Sequence, residues 1–249
     1  MWARVNHDGA DDAVAIEEPL EIRVDGAPLA VTMRTPGHDE ELALGFLHGE
    51  GLIDRPREAG LTDDLAGNVI EVAGPLLRDP GERSFYTTSS CGVCGKGALE
   101  EVAVTSARLR TDPARPVIDR GLADALPDRL VQPTFAQTGG THATGLFTAA
   151  GELLLTREDV GRHNAMDKVI GHALGKGWLP LSEHVLCVSG RLSFELVQKA
   201  AVAGVPILVG VGAPSTLAVS LAADRGLTLC GFAGRGRLNV YTWPERISP

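Results

Sequence analysis

Two cysteines three positions apart, Cys91 and Cys94, stand in the run Thr87-Thr88-Ser89-Ser90-Cys91-Gly92-Val93-Cys94-Gly95-Lys96-Gly97. Val93 is the one large apolar side chain there, and glycines occupy positions 92, 95 and 97. Such a segment has little to bury and much backbone freedom, so its cysteines are expected to be accessible. Lys96 and the glycine N–H groups could favour the thiolate, the reactive form of the side chain. Three chemistries fit. Redox exchange of the thioredoxin kind places the pair at a helix start in a βαβ unit, whereas here glycines flank both sides. A structural zinc site needs four ligands. The chain has no second Cys-x-x-Cys, and nothing in the spacing brings His142 or His163 to the pair. In a sulfur relay, a thiolate takes the outer sulfur of a donor persulfide and hands it on, which requires access and a good leaving group. Spacing alone leaves these three open, beside the plain reading of a loop with two idle cysteines.

The other two cysteines have different surroundings. Cys187 lies in His184-Val185-Leu186-Cys187-Val188 and Cys230 in Leu227-Thr228-Leu229-Cys230-Gly231. Both runs read as buried strands, where cysteine serves as a small core residue. No apolar stretch reaches the roughly 18 residues of a membrane span. The first residues, Met1-Trp2-Ala3-Arg4-Val5-Asn6-His7-Asp8-Gly9-Ala10, lack the apolar run of a secretory signal. A reducing cytoplasmic setting is therefore expected, in which four cysteines need not form disulfides. The net charge of -9 argues against broad contact with nucleic acid but leaves room for a local basic pocket.

The elements that must position these residues can be read from periodicity. With 249 residues the chain can form one large domain or two small ones, and 4% aromatic content leaves the core to Leu, Val, Ile and Ala. Residues 1–12 are polar and expected to be disordered. Leu20–Val24 and Leu29–Met33 alternate about Asp25-Gly26, a hairpin signal. A helix is expected over Asp39–Glu50, with acidic residues suiting its first turn and Gly51 as its stop. Strands follow at Asn68–Ala73 and Phe85–Thr88, and a helix at Leu99–Arg110. Thr111–Pro116 is the linker candidate. Beyond it, His142–Phe147 and Glu152–Thr156 read as a hairpin. Helices at Arg162–Leu174, Ser193–Ala203 and Ser215–Asp224 then alternate with strands at Val185–Val188, Pro206–Val211 and Leu227–Phe232. That alternation implies an α/β layer with a largely parallel sheet.

A basic motif closes the pattern. Phe232-Ala233-Gly234-Arg235-Gly236-Arg237 follows a strand, and open α/β sheets bind ligands beyond the carboxyl ends of their strands. Glycine N–H groups could approach a phosphate, while Arg235 and Arg237 offer paired donors to a pyrophosphate or a guanine edge. The bland reading is a solvated Gly-Arg turn. Gly161-Arg162-His163-Asn164 and Ser189-Gly190-Arg191 fall at expected helix starts. They could bind anions, or could simply be caps built with Asn164 and Ser193. Lys168 and Lys199 read as solvated helix residues and His142 as a structural histidine. His7, His38, His48, His172 and His184 carry no chemical argument.

Taken together, the chain resembles the formate dehydrogenase accessory sulfurtransferase family (FdhD) from about Glu17 to Thr242. The resemblance rests on Glu18-Pro19-Leu20-Glu21-Ile22-Arg23-Val24, Met33–Leu47, Ser90–Gly95, Thr138–Ala143, Arg157–Lys168, Ser189–Glu195 and Gly231–Tyr241, in that order. One such match is weak; seven in sequence are specific. The resemblance implies a sulfur carrier that accepts sulfur from a cysteine desulfurase as a persulfide on Cys91. Cys94 assists transfer or resolves the persulfide. The sulfur goes to the molybdenum bis(molybdopterin guanine dinucleotide) cofactor, a bound substrate held by Phe232, Ala233, Gly234, Arg235, Gly236 and Arg237. The implied partners are the desulfurase, a formate dehydrogenase apoenzyme and a second copy in a homodimer, with no nucleic acid, membrane or metal ligand set.

The resemblance also implies a fold similar to that of cytidine deaminases. Those enzymes need a zinc site completed by Pro-Cys-x-x-Cys at a helix start. The matching helix here opens Gly190-Arg191-Leu192-Ser193-Phe194-Glu195, so deamination is not expected. The expected fold is α/β, with an α+β N-terminal region over residues 13–115 that includes the cysteine loop. A three-layer, deaminase-like domain follows over 116–249. Two other functions remain in view, a cofactor-holding chaperone without sulfur chemistry and a thiol-disulfide redox protein.

Overall fold

The computed structural model describes residues 1–63, 67–79, 85–86 and 115–249. Cys91, Cys94, the helix expected at 99–110 and most of the linker candidate lie outside the described residues. In chain order the first elements are β1 (Trp2–His7), β2 (Ala10–Ala15), β3 (Glu18–Val24), β4 (Ala27–Arg34), α1 (Asp39–Gly49), β5 (Ala59–Leu61), β6 (Val69–Val72) and β7 (Phe85–Tyr86). Next come β8 (Ile118–Asp119), α2 (Arg120–Ala125), α3 (Pro133–Thr138), β9 (His142–Thr148), β10 (Leu153–Asp159) and α4 (Arg162–Gly175). The last are β11 (His184–Val188), α5 (Phe194–Val202), β12 (Ile207–Gly210), α6 (Thr216–Arg225), β13 (Thr228–Gly234), β14 (Arg237–Thr242) and β15 (Ile247–Ser248).

The chain forms two compact units. The first comprises the described residues of Met1–Val93, with Gln132–His142 and Arg157–Gly177. The second comprises those of Cys94–Val131, with Ala143–Thr156 and Trp178–Pro249. This division differs from a single boundary at 115/116, because α3 and α4 group with the N-terminal residues. Periodicity identifies a helix but does not say which core its apolar stripe will join.

In the first unit the described strands form a sheet in the order β5-β6-β3-β4-β7. The β3–β4 hairpin turns on Asp25 and Gly26, both at positive φ (47° and 80°), as a two-residue turn of this kind requires. Leu20, Ile22 and Val24 face inward, as their alternation predicts. Residues 1–12 depart from the expected disorder, since β1 and β2 pair from Trp2↔Ala15 to His7↔Ala10. Asp8 and Gly9, again at positive φ, supply the turn. The Met1 amino group donates to Thr134 Oγ1 (2.9 Å), tying the hairpin to α3. Polar composition concealed a hairpin held by backbone pairing.

In the second unit the sheet order is β10-β9-β11-β12-β13-β14. β11, β12 and β13 are parallel, and antiparallel partners flank them. The sheet is therefore mixed, its parallel part confined to the centre. β14 had no separate signal, because it springs directly from the Gly-Arg turn. Both faces of the central strands are buried. Ala123, Leu126 and Leu130 join Phe147, Val185, Cys187, Val209 and Cys230 in one apolar cluster. α5 (Leu196, Val197, Ala200) and α6 (Ala218, Leu221, Ala222) also bury apolar stripes. These helices on a sheet meet the α/β expectation. Among the described residues no helix is long and apolar enough to cross a membrane.

Within the first unit, α1 and α4 pack at very short range. A Cβ on Gly45 would lie 1.8 Å from the Asp167 carbonyl oxygen, and one on Gly171 would lie 1.8 Å from that of Glu41. Glycine inside a helix costs about 1 kcal/mol relative to alanine, so both positions give up helix propensity for backbone contact. Gly171→Ala should therefore reverse the usual sign of a helical Gly-to-Ala change. We expect a loss of about 3 kcal/mol in urea unfolding; a gain in stability would show that the helices can separate freely.

Candidate functional site

Several of the quoted segments meet in the first unit around buried charge. Arg34, at the end of β4, is 2% exposed. Its guanidinium donates to Asp39 (2.8 Å), Glu18 (3.1 Å) and Asn68 (3.0 Å). Asp159, at the end of β10, has no exposed side-chain surface and pairs at 2.7 Å with Lys168 of α4, itself 1% exposed. The carboxylate also accepts from the N–H groups of Thr35 (3.1 Å) and Gly161 (2.8 Å) and from Asn164 Nδ2 (3.2 Å). Lys168 donates in addition to the Thr35 carbonyl (2.8 Å). Burial pushes the Asp159 carboxyl up from its ordinary value, against the opposing pull of Lys168 and the N–H donors. Nearby, Glu41 of α1 accepts from Arg157 Nε (2.6 Å) and Nη2 (2.9 Å) and lies 2.8 Å from His172 Nδ1. Burial would raise the Glu41 carboxyl, but the hydrogen bonds from Arg157 and His172 outweigh it and hold it below the usual value.

These observations revise several expectations. Lys168 is a buried ion-pair member, and Lys199 is only 5% exposed, so neither is a solvated helix residue. Asn164 does not cap α4; it bonds Asp159 and the Met33 carbonyl (2.7 Å). The start of α4, considered above as an anion site, already directs the Gly161 N–H at the protein's own carboxylate. His172 and His38 acquire a chemical setting beside Glu41.

The carboxyl ends of β11, β12 and β13 lie along one edge of the second unit's sheet, since the three strands are parallel neighbours. Gly212 donates to the Gly190 carbonyl (3.0 Å), and Phe232 donates to that of Gly212 (3.3 Å). A Cβ on Gly212 would sit 2.8 Å from Arg191 Cα, so glycine is what lets these loops close side by side. α5 and α6 begin at the same edge, and Ser215 caps α6 by accepting from the Ala218 N–H (3.2 Å). The sheet edge thus gathers Ser189-Gly190-Arg191 and the motif Phe232–Arg237.

The motif itself is a bulged hairpin turn. Phe232 (φ 57°), Gly234 (117°), Arg235 (59°) and Gly236 (77°) all have positive φ. Two of these are side-chain-bearing residues in a sparsely populated region, a form of strain that concentrates at functional sites. Ala233 is buried. The Arg237 guanidinium stacks over the Phe232 ring, 4.1 Å from its centre. Arg191, Arg235 and Arg237 are exposed. Among the described residues no carboxylate forms an ion pair with any of the three. One expectation changes here. The N–H groups of Gly234 and Gly236 are already taken by the two carboxylate oxygens of Asp124 (2.6 and 2.8 Å). The arginine side chains, rather than those amides, are left to meet an anion.

Cys187 and Cys230 are free and buried, as their strand runs predict. Burial pushes both thiols up, that of Cys230 to about 12. Burial thus disfavours the reactive thiolate at both positions. Among the described residues no group of three or more His, Cys, Asp or Glu side chains could hold a metal ion.

The model of the FdhD/NarQ family matches residues 15–248. The chain belongs to that family. A relative from Streptomyces avermitilis named sulfur carrier protein FdhD is 53% identical over 95% of this chain and 89% of its own. One from Mycobacterium tuberculosis with the same name is 48% identical over 98% and 97%. One from Sulfolobus acidocaldarius, also so named, is 44% identical over 96% and 92%. Among solved structures, a protein from Desulfotalea psychrophila assigned as a formate dehydrogenase accessory protein superposes with a TM-score of 0.78. It is 28% identical and covers 100% of this chain and 98% of its own.

The FdhD resemblance can now be resolved into two jobs. Segments at 18–24, 33–47 and 157–168 supply the charge network of the first unit, while those at 189–195 and 231–241 shape the sheet edge of the second. Asp124 has no signal in the sequence alone. It lies on a six-residue helix with no periodic signal, about a hundred residues from its partners. For the first unit, Lys168→Met should cost about 3–5 kcal/mol, because Asp159 is left buried and uncompensated. Adding Asp159→Asn should recover part of that loss in urea unfolding, whereas additive losses would show that the two side chains do not depend on each other.

Proposed function

We propose that this protein is a cytoplasmic sulfur carrier in which Cys91 holds sulfur as a persulfide. The acceptor is the molybdenum bis-guanine-dinucleotide cofactor destined for a formate dehydrogenase. The observation that carries the reading is the burial of Cys187 and Cys230. With those thiols withheld from exchange, the relatives' shared name of sulfur carrier has only Cys91 and Cys94 to rest on. The Cys91 thiolate attacks the outer sulfur of a desulfurase cysteine persulfide. A sulfur–sulfur bond forms to Cys91 as the donor's bond breaks, and the donor cysteine leaves as thiolate, so the exchange is electron-neutral. Cys94 assists the onward transfer or resolves the persulfide.

The sheet edge supplies the binding half of the reading. A guanine dinucleotide is anionic at its pyrophosphate and offers paired acceptors on its guanine edge. Exposed arginines without a carboxylate partner among the described residues suit both, through paired, charge-assisted hydrogen bonds. Their place at the carboxyl ends of parallel strands is where open α/β sheets bind ligands. A second copy of the chain, the desulfurase and the dehydrogenase apoenzyme are the proposed partners.

Two experiments test the halves separately. Peptide mass spectrometry after incubation with a cysteine desulfurase and free cysteine should show one added sulfur on the Cys91 peptide, removed by reductant. Cys91→Ala should lose that sulfur and target activation while still binding GDP. A Cys91→Ala protein that still activates formate dehydrogenase would point instead to a chaperone that only holds the cofactor. Arg237→Ala should leave the persulfide intact and weaken GDP binding about tenfold, the scale of one charge-assisted hydrogen bond. Unchanged GDP affinity would remove the hairpin from the site.

A further inference from the structure

We infer that Asp124 is a positioning residue for the nucleotide-binding turn, acting by freezing Gly234–Arg237 in its binding shape before any ligand arrives. The inference rests on the nucleotide reading of that turn. A Gly-Arg-Gly sequence at a hairpin tip is the least constrained kind of backbone, because glycine loses more freedom on ordering than any other residue. Left to itself, such a turn would pay the ordering cost at the moment of binding.

The structure removes that cost with one carboxylate. Asp124 gives one oxygen to the Gly234 N–H (2.6 Å) and the other to the Gly236 N–H (2.8 Å), so Arg235 is bracketed between two fixed amides. Arg120 stands one helical turn earlier on α2, on the same face as Asp124. Its guanidinium donates to the Leu238 carbonyl at the start of β14, on the far side of the turn. Asp119 caps α2 by accepting from the Leu122 N–H (2.8 Å), which holds the short helix in place. The Arg237–Phe232 stack settles the remaining arginine. Arg235 is thus held on an ordered backbone with its own side chain exposed.

Asp124 puts a negative charge beside an anion site. If charge alone mattered, removing it would tighten nucleotide binding. If positioning dominates, removing it weakens binding. Asn keeps an acceptor for one of the two N–H groups and loses the charge, so it separates the two effects.

GDP affinity should be measured by calorimetry on the full chain for the wild type, Asp124→Asn and Asp124→Ala, with amide hydrogen exchange at the turn. We expect Asp124→Ala to bind about tenfold more weakly, the scale of re-ordering one to two residues, with Asp124→Asn in between. Faster exchange at Gly234 and Gly236 should accompany the loss, while the persulfide on Cys91 still forms. Unchanged exchange at the β11, β12 and β13 amides shows that the variant remains folded, and the persulfide shows that sulfur chemistry is untouched. Equal or tighter GDP binding by Asp124→Ala overturns the inference and leaves the nucleotide reading standing. Absence of GDP binding by the wild type overturns both.

Discussion

Asp159 ends a strand with no exposed surface, and an ionised carboxylate there must be answered on every side. The fold answers it with Lys168, two backbone N–H groups and the Asn164 amide. The donors come from three stretches of chain: Thr35 from the segment after β4, Gly161 from the entry to α4, and Asn164 and Lys168 from α4 itself. The acid can be satisfied only when those stretches are all in place. A buried group that costs several kcal/mol when unpaired therefore selects one arrangement of the first unit over looser ones. The glycine contact between α1 and α4 acts in the same direction, because two helices at backbone range have little freedom to slide.

The second unit uses a carboxylate in a related way for a different end. Asp124 also accepts two N–H groups, but at a surface turn rather than in a core. Both acids occupy backbone amides with their own carboxylate oxygens. At the start of α4 this leaves a helix terminus serving the protein's own structure. At the β13–β14 turn it leaves a rigid backbone whose arginines remain available. The difference lies in what surrounds the acid: Lys168 neutralises Asp159, whereas exposed Arg235 and Arg237 stay without a carboxylate partner among the described residues.

The four cysteines divide along similar physical lines. Cys187 and Cys230 sit on central strands where burial suppresses the thiolate, so sulfur exchange has nowhere to occur in the second unit's core. Family membership and the relatives' name then direct attention to Cys91 and Cys94. The proposed relay requires a thiol that reaches both a protein donor and a bound acceptor, and the glycine-rich sequence around both cysteines suits that requirement.

Local chemistry was enough to read most of the elements from residues alone. The Asp25-Gly26 turn, the strand runs holding Cys187 and Cys230, α4 and α6 all follow from periodicity and turn preference. So does the arrival of the Gly-Arg motif at a strand's end, because strand and turn are neighbours in the chain. Local chemistry failed wherever a partner was remote. Lys168 looked solvated because a lysine in a helix usually is; its carboxylate partner lies on another element. Asn164 looked like a cap because its real acceptors include a carbonyl about 130 residues away. Asp124 carried no signal, since a lone acid on a short helix gains meaning only from the two amides that the fold brings to it. Short-range preferences are written in neighbouring side chains, whereas the pairing of buried charges with distant backbone groups exists only once the chain has closed on itself.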